Sequence, residues 1–161
     1  MEIISHFTFT QEELCQLKEV HYIKHLDINN IILKAITHTD KPLYRYFSHI
    51  KNVVKFKYKY QYVYVNNFKD KTSLTYQWHY DFIKDISYPV DNYLFVYSDN
   101  PKLKTRFKIN NGITELEYNS IIKYNQTVLH KTPEEFKHCN DFRILIRIQD
   151  TDKKLYPIIR G

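Results

Sequence analysis

Glycine is nearly absent from this chain: in 161 residues it occurs only at Gly112 and Gly161. Cysteine is equally scarce, and Cys15 and Cys139 stand far apart. Two distant cysteines supply no disulfide framework and suit free thiols in a reducing compartment, so an intracellular, cytoplasmic protein is expected. No apolar stretch approaches the roughly 20 residues needed to span a bilayer, which argues against a membrane protein. Met1 to Thr10 lacks a basic segment followed by an apolar run, so no secretion signal is expected. Repeats, low-complexity tracts and linkers are also missing. The expectation is a single domain, 1–161.

Apolar residues make up 43% of the sequence, enough for a normal core and too many for wholesale disorder. Tyrosine (15) and phenylalanine (10) are abundant, lysine far outnumbers arginine, and isoleucine and asparagine are common. That bias is what an AT-rich coding genome produces, as in some viruses, phages or low-GC bacteria, where the host cytoplasm would be the compartment. It concerns origin and not chemistry. A net charge of +6 allows an acidic partner such as nucleic acid, although the charge is spread along the chain. The one concentrated stretch is Lys55-Phe-Lys-Tyr-Lys-Tyr60.

Residues 1–50 read as mainly helical. Thr10-Gln-Glu-Glu13 has the form of a capping box, and Leu14, Leu17 and Tyr22 follow at helical spacing. A second helix is expected from Asp27, with Ile31, Ile32, Ala35 and Ile36 on one side. Pro42 marks a turn, and a short helical piece follows around Tyr44–Ile50. From Val53 the period changes to two. Phe56, Tyr58, Tyr60, Tyr62 and Tyr64 alternate with Lys55, Lys57, Lys59 and Gln61, which predicts a long strand with buried rings and a solvated lysine edge. Stacking aromatics among lysines are also what single-stranded nucleic acid binding uses. Further strands are expected at Ser73–Phe82, Tyr93–Ser98, Lys104–Ile109, Ile113–Tyr118, Ser120–Tyr124, Thr127–His130 and Phe142–Gln149. Short strands separated by turn signals argue for a sandwich or barrel over βαβ units, with the β core at 53–149.

Chemistry concentrates in Tyr76-Gln-Trp-His-Tyr-Asp-Phe82. On a strand, alternate side chains share a face. Gln77, His79 and Asp81 then point one way, while Tyr76, Trp78, Tyr80 and Phe82 form an aromatic face suited to packing under helices or a second sheet. An imidazole and a carboxylate side by side can hold a metal. With one more ligand they make the facial triad of non-haem Fe(II) oxygenases, which leaves open coordination positions. His130 is the best third candidate. In Phe142-Arg-Ile-Leu-Ile-Arg-Ile148, Arg143, Leu145 and Arg147 share one strand face and Ile144, Ile146 and Ile148 the other. A guanidinium's planar fork suits a carboxylate.

His-x-Asp, a distal His about fifty residues later and an Arg 13 residues beyond it resemble the Fe(II)- and 2-oxoglutarate-dependent dioxygenase superfamily. The resemblance covers roughly residues 53–149. It implies a mainly β fold with a double-stranded β-helix (jelly-roll) core and flanking N-terminal helices. It implies an oxygenase, in particular a hydroxylase, using Fe(II) held by His79, Asp81 and His130. Arg143 would pair with the distal carboxylate of 2-oxoglutarate, Arg147 would assist at cosubstrate or substrate, and Thr105 would lie near the cosubstrate. The substrate class stays open among a protein side chain, a nucleobase and a small molecule. The same fold also serves as a non-catalytic structural or binding protein, for instance a viral or phage component. A cupin with other chemistry is disfavoured by Asp81 in place of a second histidine and by the scarcity of glycine.

Overall fold

The computed structural model describes residues 1–31, 41–67, 76–80, 89–151 and 159–160. In chain order these form β1 (Glu2–His6), α1 (Gln11–Leu17), β2 (Tyr22–Leu26), a 3₁₀ turn (Ile28–Asn30), α2 (Lys41–Val53), β3 (Gln61–Asn66) and β4 (His79–Tyr80). There follow β5 (Asp91–Ser98), β6 (Arg106–Ile109), β7 (Gly112–Glu115), β8 (Ser120–Asn125), β9 (His130–Lys131), a 3₁₀ turn (Glu134–His138), β10 (Arg143–Asp150) and β11 (Ile159–Arg160). The fold is mainly β. One sheet has the order β1-β8-β5-β10-β3-β2 and the other β11-β4-β9-β6-β7, and every described pairing is antiparallel.

The large sheet is the middle layer. Side chains alternate across each strand, so β10 sends Ile144, Ile146 and Ile148 to one side and Leu145 to the other. The isoleucines join Phe7, Phe9, Val63, Val65 and Phe95 beneath Leu14 and Leu17 of α1 and Leu43, Tyr46, Phe47 and Ile50 of α2. Leu145 joins Leu94, Val96, Ile122 and Tyr124 of the large sheet against Phe107 of the small sheet, with Leu103, Leu116 and Phe136 from the connections. Helices thus cover one face of the large sheet and the small sheet covers the other. No helix among the described residues is long and apolar enough to cross a membrane.

The capping box forms as the sequence predicts. Glu13 N–H donates to Thr10 Oγ1 at 3.1 Å, and Thr10 N–H donates to Glu13 Oε1 at 2.9 Å. Arg45 of α2 forks onto the same carboxylate through Nε and NH2, both at 2.7 Å, which ties the two helices together. In α2 the residues Leu43, Tyr46, Phe47 and Ile50 make one buried stripe. Pro42 lies within its first turn, where a missing N–H costs nothing, so the expected turn at Pro42 is instead a helix start.

Two other expectations are corrected. The helix expected from Asp27 is not formed there: α1 stops at Leu17, residues Tyr22–Leu26 form an edge strand, and Asp27 precedes a 3₁₀ turn that ends at Asn30. Five residues hold too weak a local preference to resist a neighbouring ladder, and β3 supplies one from Tyr22↔Val65 to Leu26↔Gln61. Ile32, Ala35 and Ile36 lie outside the described residues. The long lysine–aromatic strand is also absent, because α2 runs to Val53 and β3 begins only at Gln61. Between them the Asp150 carboxylate accepts the N–H groups of Lys57 (2.8 Å) and Tyr58 (3.2 Å), replacing a strand ladder. Phe56 is buried but Tyr58 and Tyr60 are exposed, so the rings do not share one buried face.

The strands β5, β6, β7, β8 and β10 fall close to the expected runs, and β9 starts at His130, the residue at which the sequence pattern would end it. The β6–β7 hairpin turns through Asn110 (φ 51°) and Asn111 (φ 66°), the left-handed pair that a two-residue turn with the right twist requires. Of Ser73–Phe82, the described strand is His79–Tyr80 alone, and residues 73–75 and 81–82 lie outside the described ones.

Candidate functional site: a histidine pair between the sheets

Strands β4 and β9 meet in the small sheet with His79 directly opposite His130. Both side chains point into the space between the sheets and are nearly inaccessible, at 3% and 5% exposure. Their ring centroids are 4.5 Å apart and tilted by 59°. Each ring is anchored through Nδ1, His79 to the Gln77 carbonyl at 2.6 Å and His130 to the Val128 carbonyl at 3.1 Å. A carbonyl only accepts, so Nδ1 carries the donated proton in each ring. Ring orientation fixed by a backbone carbonyl is the usual support of a metal-binding histidine.

The alternation expected over 76–82 holds among the described residues only from Trp78 to Tyr80: Gln77, expected to share the face of His79, is exposed, and Tyr76, expected on the opposite face, is buried between the sheets. Trp78 lies half-buried beneath Lys108 Nζ (4.6 Å to the ring centroid) and Lys131 Nζ (5.1 Å). Tyr76 precedes the strand and is buried with Phe136 in the intersheet cluster. Phe107 and Tyr124 flank His130, with centroids at 5.4 and 5.5 Å. Asp81 lies outside the described residues.

A cavity of about 20 Å³ opens beside the pair, lined by His79, His130, Thr105, Arg147, Tyr64 and Asn66 among others. Its described lining contains two imidazoles, a guanidinium, hydroxyls and an amide, and no carboxylate. Such a set favours an anionic ligand. Its size is room for about one water, far below the roughly 300 Å³ at the low end of small-molecule pockets.

Strand β10 brings both arginines to this side of the large sheet. Arg147 is half-buried, opposite Tyr64 in the β10–β3 ladder, with its guanidinium carbon 4.9 Å from the Tyr64 ring centroid. Arg143 is wholly buried and sits behind the cavity wall. Its Nε donates to the Leu103 carbonyl at 2.9 Å and its NH2 to Thr105 Oγ1 at 2.5 Å. Burial pulls its pKa down to about 10, so it is still a cation at neutral pH. Thr105 is therefore the link between Arg143 and the cavity.

His79, His130, Thr105 and Arg147 thus line one cavity, with Arg143 in contact through Thr105. Among the described residues no three His, Cys, Asp or Glu side chains converge as a metal site. Tyr64, Asn66, Tyr124 and Thr132 also line the cavity, and no motif in the sequence marks them for it. Tyr64 carries a signal, since it continues the alternation of Tyr62, but only the β3–β10 register shows that it meets Arg147. No protein-family model matches the chain, and no curated protein matches its sequence.

Proposed function

We propose that the chain is a jelly-roll oxygenase dependent on Fe(II) and 2-oxoglutarate, a hydroxylase acting in the cytoplasm. The observation that carries the reading is the buried His79–His130 pair, with both rings held by Nδ1 so that Nε2 can coordinate. That nitrogen pair suits a first-row transition metal. In the reading, Asp81, two residues from His79, is the carboxylate that completes the set. The strand orders support the jelly-roll core: from β3 to β10 the chain crosses between the sheets at every connection except the β6–β7 hairpin, giving β8-β5-β10-β3 in one and β4-β9-β6-β7 in the other. Cys15 and Cys139, both free thiols, accord with a reducing compartment.

When bound, Fe(II) with 2-oxoglutarate would supply oxygen activation coupled to decarboxylation of the cosubstrate. The chain's own residues orient and insulate. Arg147 presents positive charge at the cavity for a carboxylate, and Arg143 fixes the Thr105 hydroxyl that faces it. Phe107 and Tyr124 flank the imidazole of His130 and restrict access of water.

The test is an anaerobic titration of the purified protein with Fe(II) and 2-oxoglutarate, following the chelate's charge-transfer absorbance. A saturable band lost in Asp81→Ala and His130→Ala is the expected result. Its absence, with no iron retained, favours the second reading, a non-catalytic structural or binding protein on the same scaffold. Two observations favour that reading: the cavity holds about 20 Å³, and Arg143 is engaged by Leu103 and Thr105.

A further inference from the structure

At the β2 edge of the large sheet, three rings form a column. His25 of β2 lies parallel to Tyr62 of β3, with centroids 4.4 Å apart and planes at 15°. Tyr60 continues the column at 5.1 Å from His25. Tyr60 is 42% exposed, His25 is exposed, and Ile23 on the same strand is 63% exposed. Tyr58 adds another exposed ring on the preceding segment. Lys55, Lys57 and Lys59 are exposed on that segment, with Lys59 Nζ 5.5 Å from the Tyr60 ring centroid. Among the described residues the nearby carboxylates are engaged: Asp150 accepts two backbone N–H groups, Asp27 accepts from Asn30, and Asp91 pairs with Lys57 and Lys123.

We propose that this edge is a platform for single-stranded nucleic acid, with bases stacking on the Tyr60–His25–Tyr62 column and phosphates held by Lys55 and Lys59. The alternation in the sequence predicts that these rings are core, and the bends at 57–59 bring Tyr58 and Tyr60 to the surface instead. Flat rings beside lysines match both parts of a nucleotide chain, the base face and the backbone charge. A duplex hides its base faces, so the platform selects single strands. Charge complementarity agrees, since the chain carries +6. The platform is independent of the cavity and would act whether or not iron binds there.

The experiment is fluorescence anisotropy with a labelled mixed-sequence 12-nucleotide DNA strand, its RNA equivalent and the DNA duplex, across a salt series. Expected is saturable binding of at least one single strand, tighter than the duplex. The Tyr60→Ala/Tyr62→Ala protein should bind at least tenfold more weakly at fixed salt, since one stacked base is worth about five- to 150-fold. Tyr60→Phe/Tyr62→Phe should restore binding. Lys55→Gln/Lys59→Gln should flatten the log–log salt dependence by roughly 0.7 for each phosphate left without its lysine. If circular dichroism shows that the Tyr62 change unfolds the protein, His25→Ala/Tyr60→Ala replaces it, both sites being exposed. No saturable binding at low salt overturns the proposal. So does equal affinity for strand and duplex, affinity insensitive to ring removal, or equally effective competition by polyglutamate, which would mark a general anion surface.

Discussion

Strand β10 separates two regions of opposite character. On its helix side, Ile144, Ile146 and Ile148 meet Phe95, Phe7 and Tyr46 in an interior with few polar atoms. On its other side, Arg143 and Arg147 flank Leu145 and look toward His79, His130 and Thr105. Both regions are buried and both hold apolar clusters, but the second also encloses a guanidinium and two imidazoles, which burial disfavours. A buried guanidinium and two buried imidazoles are costly to desolvate and must be matched by hydrogen bonds, as the Leu103, Gln77 and Val128 carbonyls do here. Apolar burial stabilises both sides, and the small-sheet side is where polar groups are kept as well.

That comparison can be broken by substitution. The largest effect belongs to the apolar side: Phe95→Ala should destabilise the fold by about 3–5 kcal/mol, read by urea unfolding. A loss under about 1 kcal/mol would mean that the helix layer is not the main source of stability. Next comes Arg143, where two replacements separate structure from function. Arg143→Ala leaves the Leu103 carbonyl and Thr105 without their donor and should cost about 2–4 kcal/mol. Arg143→Met fills the space but supplies no donor either, so it should cost about 1–3 kcal/mol, less than Ala because no cavity is left. If the proposed cosubstrate role is right, both lose the 2-oxoglutarate-dependent absorbance, whereas a merely structural arginine would spare it in the Met protein.

His79→Ala and His130→Ala should act in the opposite sense to Phe95→Ala. If the proposed iron site is right, each should weaken Fe(II) binding by about 100-fold or more, while moving the unfolding midpoint by an amount equivalent to only about 1–2 kcal/mol. Isothermal titration and urea unfolding on the same samples check both. The smallest effect lies back on the helix side. Burial, with the nearby Arg45 charge, holds the His49 pKa below the ordinary value. The folded state then favours the neutral ring, so the stability from this group is present above the unfolded value near 6.5 and is lost as pH falls below it. Stability measured by urea at about pH 5.5 should fall below that at about pH 7.5, and His49→Gln should reduce the fall. An unchanged fall would show that other groups carry the pH dependence.

Local sequence determined the features whose partners lie within a few residues. The Thr10–Glu13 capping box, the apolar spacing of Leu43, Tyr46, Phe47 and Ile50, and the split of β10 into isoleucine and arginine faces all rest on periodicity or on contacts one turn away. The candidate site was legible in the same way as a set of residue types: His79, His130, Thr105 and Arg147 stand out by pattern or by resemblance, and they line one cavity. What the sequence could not express were non-local choices. Residues 22–26 became a strand because β3 lay beside them, and 54–60 left the ladder because a buried carboxylate about ninety residues away took their N–H groups. The opposition of His79 to His130, the burial of Arg143 behind Thr105 and the exposed ring column at His25, Tyr60 and Tyr62 depend on register between distant strands. Alternation tells which side chains share a face, but only the tertiary structure decides whether that face meets helices, another sheet or water.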